Sequence, residues 1–261
     1  MSTLHEPYSI NIHSSQDLYD LNEHAHHHKH IRIMIEHAIA ITIRDNASSI
    51  ETLEIIVGSG SQVIVIAENV YRSLLIRCAM ASSITFVQII GSSISINHQR
   101  LTVCLFEHAH AKICIFPLLK TNQRLECVTE QQHSSSVTSS VVRIVGYLKD
   151  SAQFGHHGMI TVKPLLHDVE ILQKTLLFFS GPATKAWARP CFDIASKDVH
   201  CSHGAAIGHV DQQQLWALQM RGIEMSVAQR LIIHATCMEC LDEKLSSNIR
   251  DRISSMIIAR L

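Results

Sequence analysis

The chain has 261 residues, of which 46% are hydrophobic, and its 22 Lys and Arg nearly balance its 23 Asp and Glu. This composition is typical of a globular protein with a large core and excludes a disordered tail. No Lys/Arg-rich block is present, so the sequence lacks the charge that drives binding to nucleic acids or to anionic lipids.

The N-terminal 30 residues have no basic segment followed by an apolar one, so we predict no secretory signal. The eight cysteines are too widely spread for a disulfide scaffold, which favours a cytoplasmic protein with reduced thiols. The segment from His24 to His30 contains five histidines. Imidazole binds transition metals, but no fixed spacing and no accompanying set of carboxylates or thiolates defines a geometry. We therefore predict an exposed polar loop without an assigned ion.

Strands dominate the chain from about Ile31 to Ile194, where β-branched residues alternate with polar ones. The predicted strands are 31–35, 41–43, 53–57, 62–67, 84–87, 101–105, 112–116, 125–129, 141–145 and 159–162. Polar residues interrupt the uncharged stretch from Cys78 to Gln99, so we interpret it as two strands and a turn rather than a membrane span. No long helical pattern separates the strands, and no Asn-Gly or Asp-Gly dipeptide marks a hairpin. Parallel strands are ordinarily joined by helical crossovers and antiparallel strands by tight hairpin turns, and the sequence shows neither. A β-solenoid requires neither connection and is therefore favoured, with a β-sandwich as the alternative.

Helices are predicted after the solenoid. Asp211 is suited to N-cap a helix over 212–220, and the pattern Ser226-Val-Ala-Gln229 predicts a capping box for a second helix that reaches about Lys244. A last helix carries a stripe of apolar residues that must bury against the solenoid or a partner. The stripe consists of Leu245, Ile249, Ile253, Met256 and Ile257. The predicted regions are thus an N-terminal segment (1–30), a solenoid core (31–210) and a helical segment (211–261).

Three groups that bind metals in other proteins fall near one face of the second predicted helix. They are His234, Cys237 and Cys240. A Cys-x-x-Cys pair suggests redox chemistry near the start of a helix, but this pair lies in mid-helix and outside a βαβ unit. We therefore predict packing in the core or in an interface.

The C-terminal third contains several stretches whose order and spacing match the pattern of one protein family. They are Lys163–Ser180, Pro190–Ile194, Asp198–Ala205, Arg221–Ile223 and Leu231–Ile233. Together they resemble the SufB/SufD family of the sulfur-mobilisation (Suf) system for iron–sulfur cluster assembly, and the Cys-Ser-His-Gly turn within Asp198–Ala205 is most like SufD. The resemblance covers residues from about 5 to 261. It implies a right-handed parallel β-helix with C-terminal helices, in a short form without the N-terminal helical domain of many members.

The resemblance also implies a site in that turn. His203 matches a SufD histidine at the SufB/SufD interface, where a nascent cluster is held jointly with a SufB cysteine. An imidazole nitrogen can replace a thiolate on iron. Cys201 lies two residues earlier, and in an extended segment the two side chains share a face, so it is a second candidate ligand beside His200. A purely structural histidine and a small buried cysteine are the alternatives.

Two partners follow from the same resemblance: a SufB-like subunit at the solenoid edge and a SufC-like ABC ATPase on the C-terminal helices. The predicted docking residues are Arg221, Gly222, Ile223, Ala228 and Leu231. The chain has no Gly-x-x-x-x-Gly-Lys-Ser/Thr loop, so we expect ATP to be bound by the partner and the cluster to be held only transiently. We expect a non-catalytic scaffold, with a self-pairing homodimer as the alternative. A β-helix enzyme acting on polysaccharide or acyl groups is disfavoured, because no convergent carboxylate pair is visible.

Overall fold

A computed structural model of the chain describes residues 7–12, 19–20, 28–37, 39–44, 50–91, 96–243 and 245–261. Sixteen strands occur within these ranges. They are β1 (Tyr8–Ile12), β2 (Tyr19–Asp20), β3 (His30–Ile35), β4 (Ile39–Arg44), β5 (Thr52–Val57), β6 (Gln62–Ala67), β7 (Ser73–Cys78), β8 (Ser83–Ile90), β9 (His98–Leu105), β10 (His110–Leu119), β11 (Arg124–His133), β12 (Thr138–Lys149), β13 (Gln153–Val162), β14 (Val169–Ser180), β15 (Lys185–Ile194) and β16 (Val199–Gly208). The helices α1 (Gln212–Gln219), α2 (Met225–Glu239) and α3 (Ser247–Ile258) follow.

The strands alternate between two parallel sheets, so the chain is a β-solenoid. Odd-numbered strands from β1 to β15 form one eight-stranded sheet, and even-numbered strands from β2 to β16 form the other. Side chains alternate between buried and partly exposed along β5, as expected when every second residue points into the coil. Residues of successive coils stack in register, for example Gln131 on Ile160 and Ile160 on Phe192. The predicted solenoid is confirmed, and the sandwich is excluded.

The solenoid begins earlier than the predicted boundary at residue 31, because β1 pairs with β3 and β2 pairs with β4. Strand β7 was not predicted, since Leu75 points outward between the buried Leu74 and Ile76 and breaks the alternation. The stretch from Cys78 to Gln99 contains all of β8 together with the end of β7 and the start of β9.

Single residues in the left-handed region form many of the corners between strands. Positive φ angles occur at Ala81, His108, Thr121 and Val137, none of which is glycine. Successive corners are joined by backbone hydrogen bonds, such as the one from the Val137 amide to a carbonyl oxygen of the next coil at 3.0 Å. These stacked bonds offset the strain of a left-handed residue, which costs roughly 1–2 kcal/mol. This explains how the chain turns without Asn-Gly or Asp-Gly.

A second apolar core lies between the helices and the outer face of the even-numbered sheet. It joins strand residues such as Val87 and Phe116 to Ile233, Ile253 and Ile257. The predicted apolar stripe of α3 is therefore buried against the solenoid.

The helix ends agree with the prediction at α1 and differ at α2. Asp211 caps α1, with its Oδ1 accepting a hydrogen bond from the Gln213 amide at 2.8 Å. Helix α2 is capped by Glu224, which accepts from the Ser226 amide at 3.1 Å, and it ends at Glu239 rather than near Lys244. The predicted capping box is therefore wrong, because a carboxylate two residues earlier takes the capping role.

The cysteines of α2 belong to the second core. Cys237 and Cys240 are buried, and the Cys114 thiol of β10 donates to the Cys240 carbonyl oxygen at 3.4 Å. Burial raises the pKa of Cys114 to about 12, so its thiol stays protonated at neutral pH. These contacts agree with the predicted packing role.

The histidine-rich segment falls largely outside the described residues, which include only His28 and His30 of its five histidines. The His28 ring stacks on Tyr8 of β1 with a centroid separation of 4.6 Å. Along the described parts of the chain, no helix combines the length and the apolar character needed to span a membrane.

Candidate functional site at the open end of the solenoid

The two terminal strands, β15 and β16, form what we call the open end of the solenoid. Within the described chain, each has a strand neighbour on one side only. Their inward-facing residues continue the core rows of the previous coil, with Phe192 stacked on Ile160 and Ile207 on Leu177. Ile160 and Leu177 are fully buried, whereas Phe192 is 57% exposed and Ile207 is 41% exposed. The open end therefore presents unpaired backbone beside an apolar surface.

Strand β16 carries the residues predicted for the site. The segment from Asp198 to Ala205 was interpreted as a turn, but residues 199–208 form a continuous strand paired with β14. The interpretation as a turn is therefore wrong. Gly204 adopts no left-handed conformation, and the parallel ladder keeps the segment extended.

His203 and Cys201 lie on the inward face of β16. They stack in register on the buried residues Gln173 and Ile171 of β14. The exposed imidazole of His203 packs against the ring of Phe192, with centroids 5.2 Å apart and the planes tilted by 44°. Cys201 packs against a small apolar cluster, and its partial burial raises the pKa of its thiol. The shared face of these two residues agrees with the alternation of an extended strand.

His200 lies on the other face of β16. It stacks on the exposed Glu170 and points outward. A one-residue offset along a strand reverses the face of a side chain, so the structure separates His200 from Cys201 and His203. His200 is therefore not part of the inward-facing site.

The inward pair alone does not make a complete metal site. Over the described ranges, no three His, Cys, Asp or Glu side chains converge as potential metal ligands. An iron–sulfur cluster uses several ligands, commonly four cysteines. A cluster held by His203 would thus take further ligands from outside the described part of this chain.

A buried polar network lies directly beneath the open end. The His156 imidazole bridges two hydroxyl groups, with Nε2 at 2.9 Å from Thr129 Oγ1 and Nδ1 at 2.8 Å from Thr175 Oγ1. The His133 ring similarly bridges Thr138 Oγ1 and Ser140 Oγ, both at 2.7 Å. Burial lowers the pKa of each histidine to about 4, so both rings are neutral at pH 7.

Sequence reasoning missed this network. Its members are Thr129, Gln131, His133, Thr138, Ser140, His156, Gln173 and Thr175. A signal was available, because these polar residues occupy inward positions of strands whose phase is set by apolar neighbours. Which of them meet inside the coil could not be predicted, since most of the contacts cross between the two sheets.

The residues predicted for partner docking surround the turn between α1 and α2. Gly222 has a φ of 82°, and Arg221 donates to a carbonyl oxygen of α1 at 2.9 Å. Leu231 is 46% exposed, but Ala228 is completely buried in the second core. Ala228 therefore packs α2 into the second core and offers no surface to a partner.

An exposed apolar patch lies near this turn and was not predicted. Trp216 and Met220 of the α1 region are 62% and 89% exposed. We define the helical surface as Trp216, Met220, Arg221 and Leu231. Exposed apolar residues beside a charged residue are common in protein interfaces.

Comparisons with known proteins identify the family. A family model described as "SUF system FeS cluster assembly, SufBD core domain" matches residues 22–236. Iron-sulfur cluster assembly protein SufD of Escherichia coli (strain K12) is 25% identical over 190 residues, covering 72% of this chain and 44% of that protein. SufD of Bacillus subtilis (strain 168) is 25% identical over 129 residues, covering 49% of this chain and 30% of that protein. Protein ABCI7, chloroplastic, of Arabidopsis thaliana is 28% identical over 144 residues, covering 55% and 26%.

The chain spans less than half the length of these relatives. The family model nevertheless covers most of this chain, including β16 and most of α2. Its mainly parallel β-solenoid is the fold expected from the resemblance. The chain belongs to the SufB/SufD family of iron–sulfur cluster assembly proteins and is most like SufD.

Proposed function

We propose that this chain is a non-catalytic scaffold subunit of a Suf-type complex, and that its open end pairs with a SufB-like subunit around a nascent iron–sulfur cluster. The observation that carries the proposal is the inward-facing pair of His203 and Cys201 on the terminal strand β16. The cluster is the cargo of this scaffold and is bound only transiently.

His203 is the proposed ligand of this chain. Its imidazole is exposed at the open end, so iron can reach a ring nitrogen without disturbing the core. Cys201 is the weaker candidate, because burial raises its thiol pKa and metal binding requires the thiolate. Phe192 packs against one side of the His203 ring and would place an apolar side chain next to the cluster.

Strand pairing is the proposed means of attachment to the SufB-like subunit. Unpaired strands at a sheet edge readily pair with another chain unless they are covered. Both sheets end together at β15 and β16, so a partner would pair with both strands and cover the exposed Phe192 and Ile207. The cluster ligands of the two subunits would then meet at one junction.

The helical surface is the proposed docking site for a SufC-like ATPase. Its exposed Trp216 and Met220 supply apolar contact area, and Arg221 supplies a charge that favours one orientation. The helices pack on the solenoid through a buried apolar core, so movement of that partner during ATP hydrolysis would open or strain the junction around His203.

Anaerobic co-expression with the SufB-like and SufC-like proteins of the same cell tests the proposal. The complex is purified through a tag on this chain, and iron and sulfide are measured. We expect a stoichiometric complex that contains a cluster. We expect His203→Ala to lower the cluster content at least tenfold while the complex still assembles.

His200→Ala is the matched control, because the two histidines lie on opposite faces of one strand. This variant should keep the cluster content of the unmodified chain. Equal cluster content in the His203→Ala and His200→Ala complexes would contradict the role of His203. Recovery of the ATPase without any SufB-like subunit would instead support a self-pairing homodimer.

A further inference from the structure

A cleft lies on the outer face of the odd-numbered sheet, whereas the helices pack on the even-numbered sheet. Its volume is about 380 Å³, which is within the range of small-molecule binding sites. The cleft runs across the starts of β9, β11, β13 and β15. None of its lining residues belongs to the inward-facing pair or to the helical surface, so the proposed function does not account for it.

The first row of outward residues in the cleft is cationic. Arg124, Gln153 and Lys185 are register partners on three neighbouring strands, so their side chains stand next to one another. Within the described chain, none of these three side chains has a hydrogen-bond or ion-pair partner. On an earlier coil of the same sheet, by contrast, Arg77 pairs with Glu54 at 2.9 Å. A guanidinium, an amide and an ammonium group are thus available to one bound anion.

Three donors on three strands favour a phosphate group as that anion. A phosphate monoester has three strongly accepting oxygens, one for each of these side chains, whereas a carboxylate has two oxygens. Arg and Lys side chains both bind phosphate through charge-assisted hydrogen bonds. The first row therefore matches a phosphate monoester better than a carboxylic acid.

The second row places an aromatic ring and a carboxylate beside this anion site. Glu126, Gly155 and Trp187 are register partners on the same three strands, two residues further along and about 6.6 Å from the first row. A Cβ atom on Gly155 would lie 2.1 Å from two atoms of the indole, so the indole occupies the space above this glycine. Trp187 is still 37% exposed. The missing side chain at position 155 therefore lets the indole extend over the middle strand of the cleft.

The charges around the second row limit what the rest of the ligand can be. The Glu126 carboxylate, with His98 Nδ1 at 3.8 Å, repels a second anionic group and accepts hydrogen bonds from hydroxyl groups. The Arg189 guanidinium lies 5.3 Å from the centroid of the Trp187 ring, so a ligand cation at the indole would meet a like charge. A neutral ring with hydroxyl groups satisfies both conditions.

We propose that this cleft binds a phosphate monoester of a neutral, hydroxylated ring. The phosphate accepts hydrogen bonds from Arg124, Gln153 and Lys185. The ring packs against Trp187, and one of its hydroxyl groups donates to Glu126. Sugar phosphates and nucleoside monophosphates share this chemistry. Binding needs no partner subunit and does not rest on the proposed function.

The fluorescence of Trp187 measures binding to the complete chain. The chain has two tryptophans, and Trp216→Phe removes the other one. Titration of this variant with AMP or with glucose 6-phosphate should give a saturable change in emission, with calorimetry as the second measurement. The monoester that binds more tightly identifies the source as a nucleotide or a sugar phosphate. Saturable binding of neither monoester by either method would overturn the proposal.

Three comparison ligands test which parts of the monoester are recognised. Inorganic phosphate lacks the ring, glucose lacks the phosphate, and glucuronate carries a carboxylate instead. Each should bind roughly tenfold more weakly than the better monoester, because each loses contacts to one row of the cleft. Inorganic phosphate or glucuronate binding as tightly as the better monoester would refute the assigned ligand class.

Arg124→Gln removes one cation of the first row and should weaken monoester binding about tenfold. Arg77→Gln is the matched control, because it removes an outward arginine of the same sheet that lies outside the cleft. The control should keep the affinity of the unmodified chain. Equal affinities of the two variants would contradict the proposed anion site.

Gly155→Ala tests the second row separately. The new Cβ would displace the indole, so calorimetry should show weaker binding of the better monoester and unchanged binding of inorganic phosphate. Unchanged monoester affinity in a folded Gly155→Ala variant would show that the ring does not pack against Trp187 and would refute this part of the proposal.

Discussion

Acidification should destabilise this solenoid through two buried histidines, His133 and His156. Burial lowers the pKa of each from 6.5 to about 4 in the folded chain. Between these values the unfolded chain binds more protons than the folded chain, so the free energy of unfolding falls as the pH falls from about 6.5 to 4. Above pH 6.5 both rings are neutral in either state, and the effect disappears.

The magnitude follows from the two pKa values. Between pH 7 and pH 5, one such histidine should remove about 2 kcal/mol of unfolding free energy, and the pair about 4 kcal/mol. In the folded chain each ring contacts two hydroxyl groups, so accepting a proton would also disrupt these hydrogen bonds. The loss of unfolding free energy at acid pH therefore results from the burial and hydrogen bonding of these two histidines in the network beneath the open end.

Urea unfolding followed by circular dichroism at pH 7 and pH 5 measures the effect. The variant His133→Gln/His156→Gln should lose about 4 kcal/mol less than the unmodified chain over this range. The exposed His200 provides the control, since His200→Gln should keep the full pH dependence. The same loss in the double variant as in the unmodified chain would refute the argument from burial.

Three further predictions concern the core, the thiols and one corner. Gln88→Leu breaks a reciprocal amide pair with Gln99 (2.9 and 2.8 Å) and should cost about 2 kcal/mol in urea unfolding, whereas replacing both residues should cost less than the sum of the single changes. Additive costs would contradict this coupling. Iodoacetamide at pH 8 should alkylate the exposed Cys191 and spare Cys127, whose pKa burial raises to about 12, as peptide mass spectrometry would show. Rapid labelling of Cys127 in the folded chain would be the contrary result. Gly181→Ala should cost about 2 kcal/mol in thermal unfolding, because the residue has a φ of 120° and the new Cβ would lie 2.6 Å from a backbone oxygen; an unchanged melting temperature would show that the corner relaxes.

The alternation of apolar and polar residues predicted most strands, because every second side chain of a strand points into the coil and is buried there. Most predicted strands were shorter than the observed ones, as with 141–145 against Thr138–Lys149 of β12, although 62–67 has the bounds of β6. Hydrogen bonds to the neighbouring coils extend the strand through residues whose own pattern is polar. The corners were not predictable, because residues such as Ala81 and Val137 carry no signal for a left-handed conformation.

For the site, too, local strand geometry could be predicted, whereas contacts between distant residues could not. The two-residue spacing correctly placed Cys201 and His203 on one face, and the same rule separates His200 from them. Contacts between distant parts of the chain could not be foreseen. Gln173 and Thr129 are 44 residues apart and meet only because the two sheets face each other across the coil.

The helices that follow the coils have a consequence for how the chain reaches its folded state. Each coil bonds only to its neighbours, so coils can form one after another as a nascent chain emerges. The contact between Arg260 and Glu68 instead joins residues 192 positions apart. Until the three helices have been synthesised, the outer face around Val87 and Phe116 stays open to solvent. A ribosome-bound chain stalled before α1 would therefore be a substrate for chaperones that bind apolar strands, even though its solenoid is already complete.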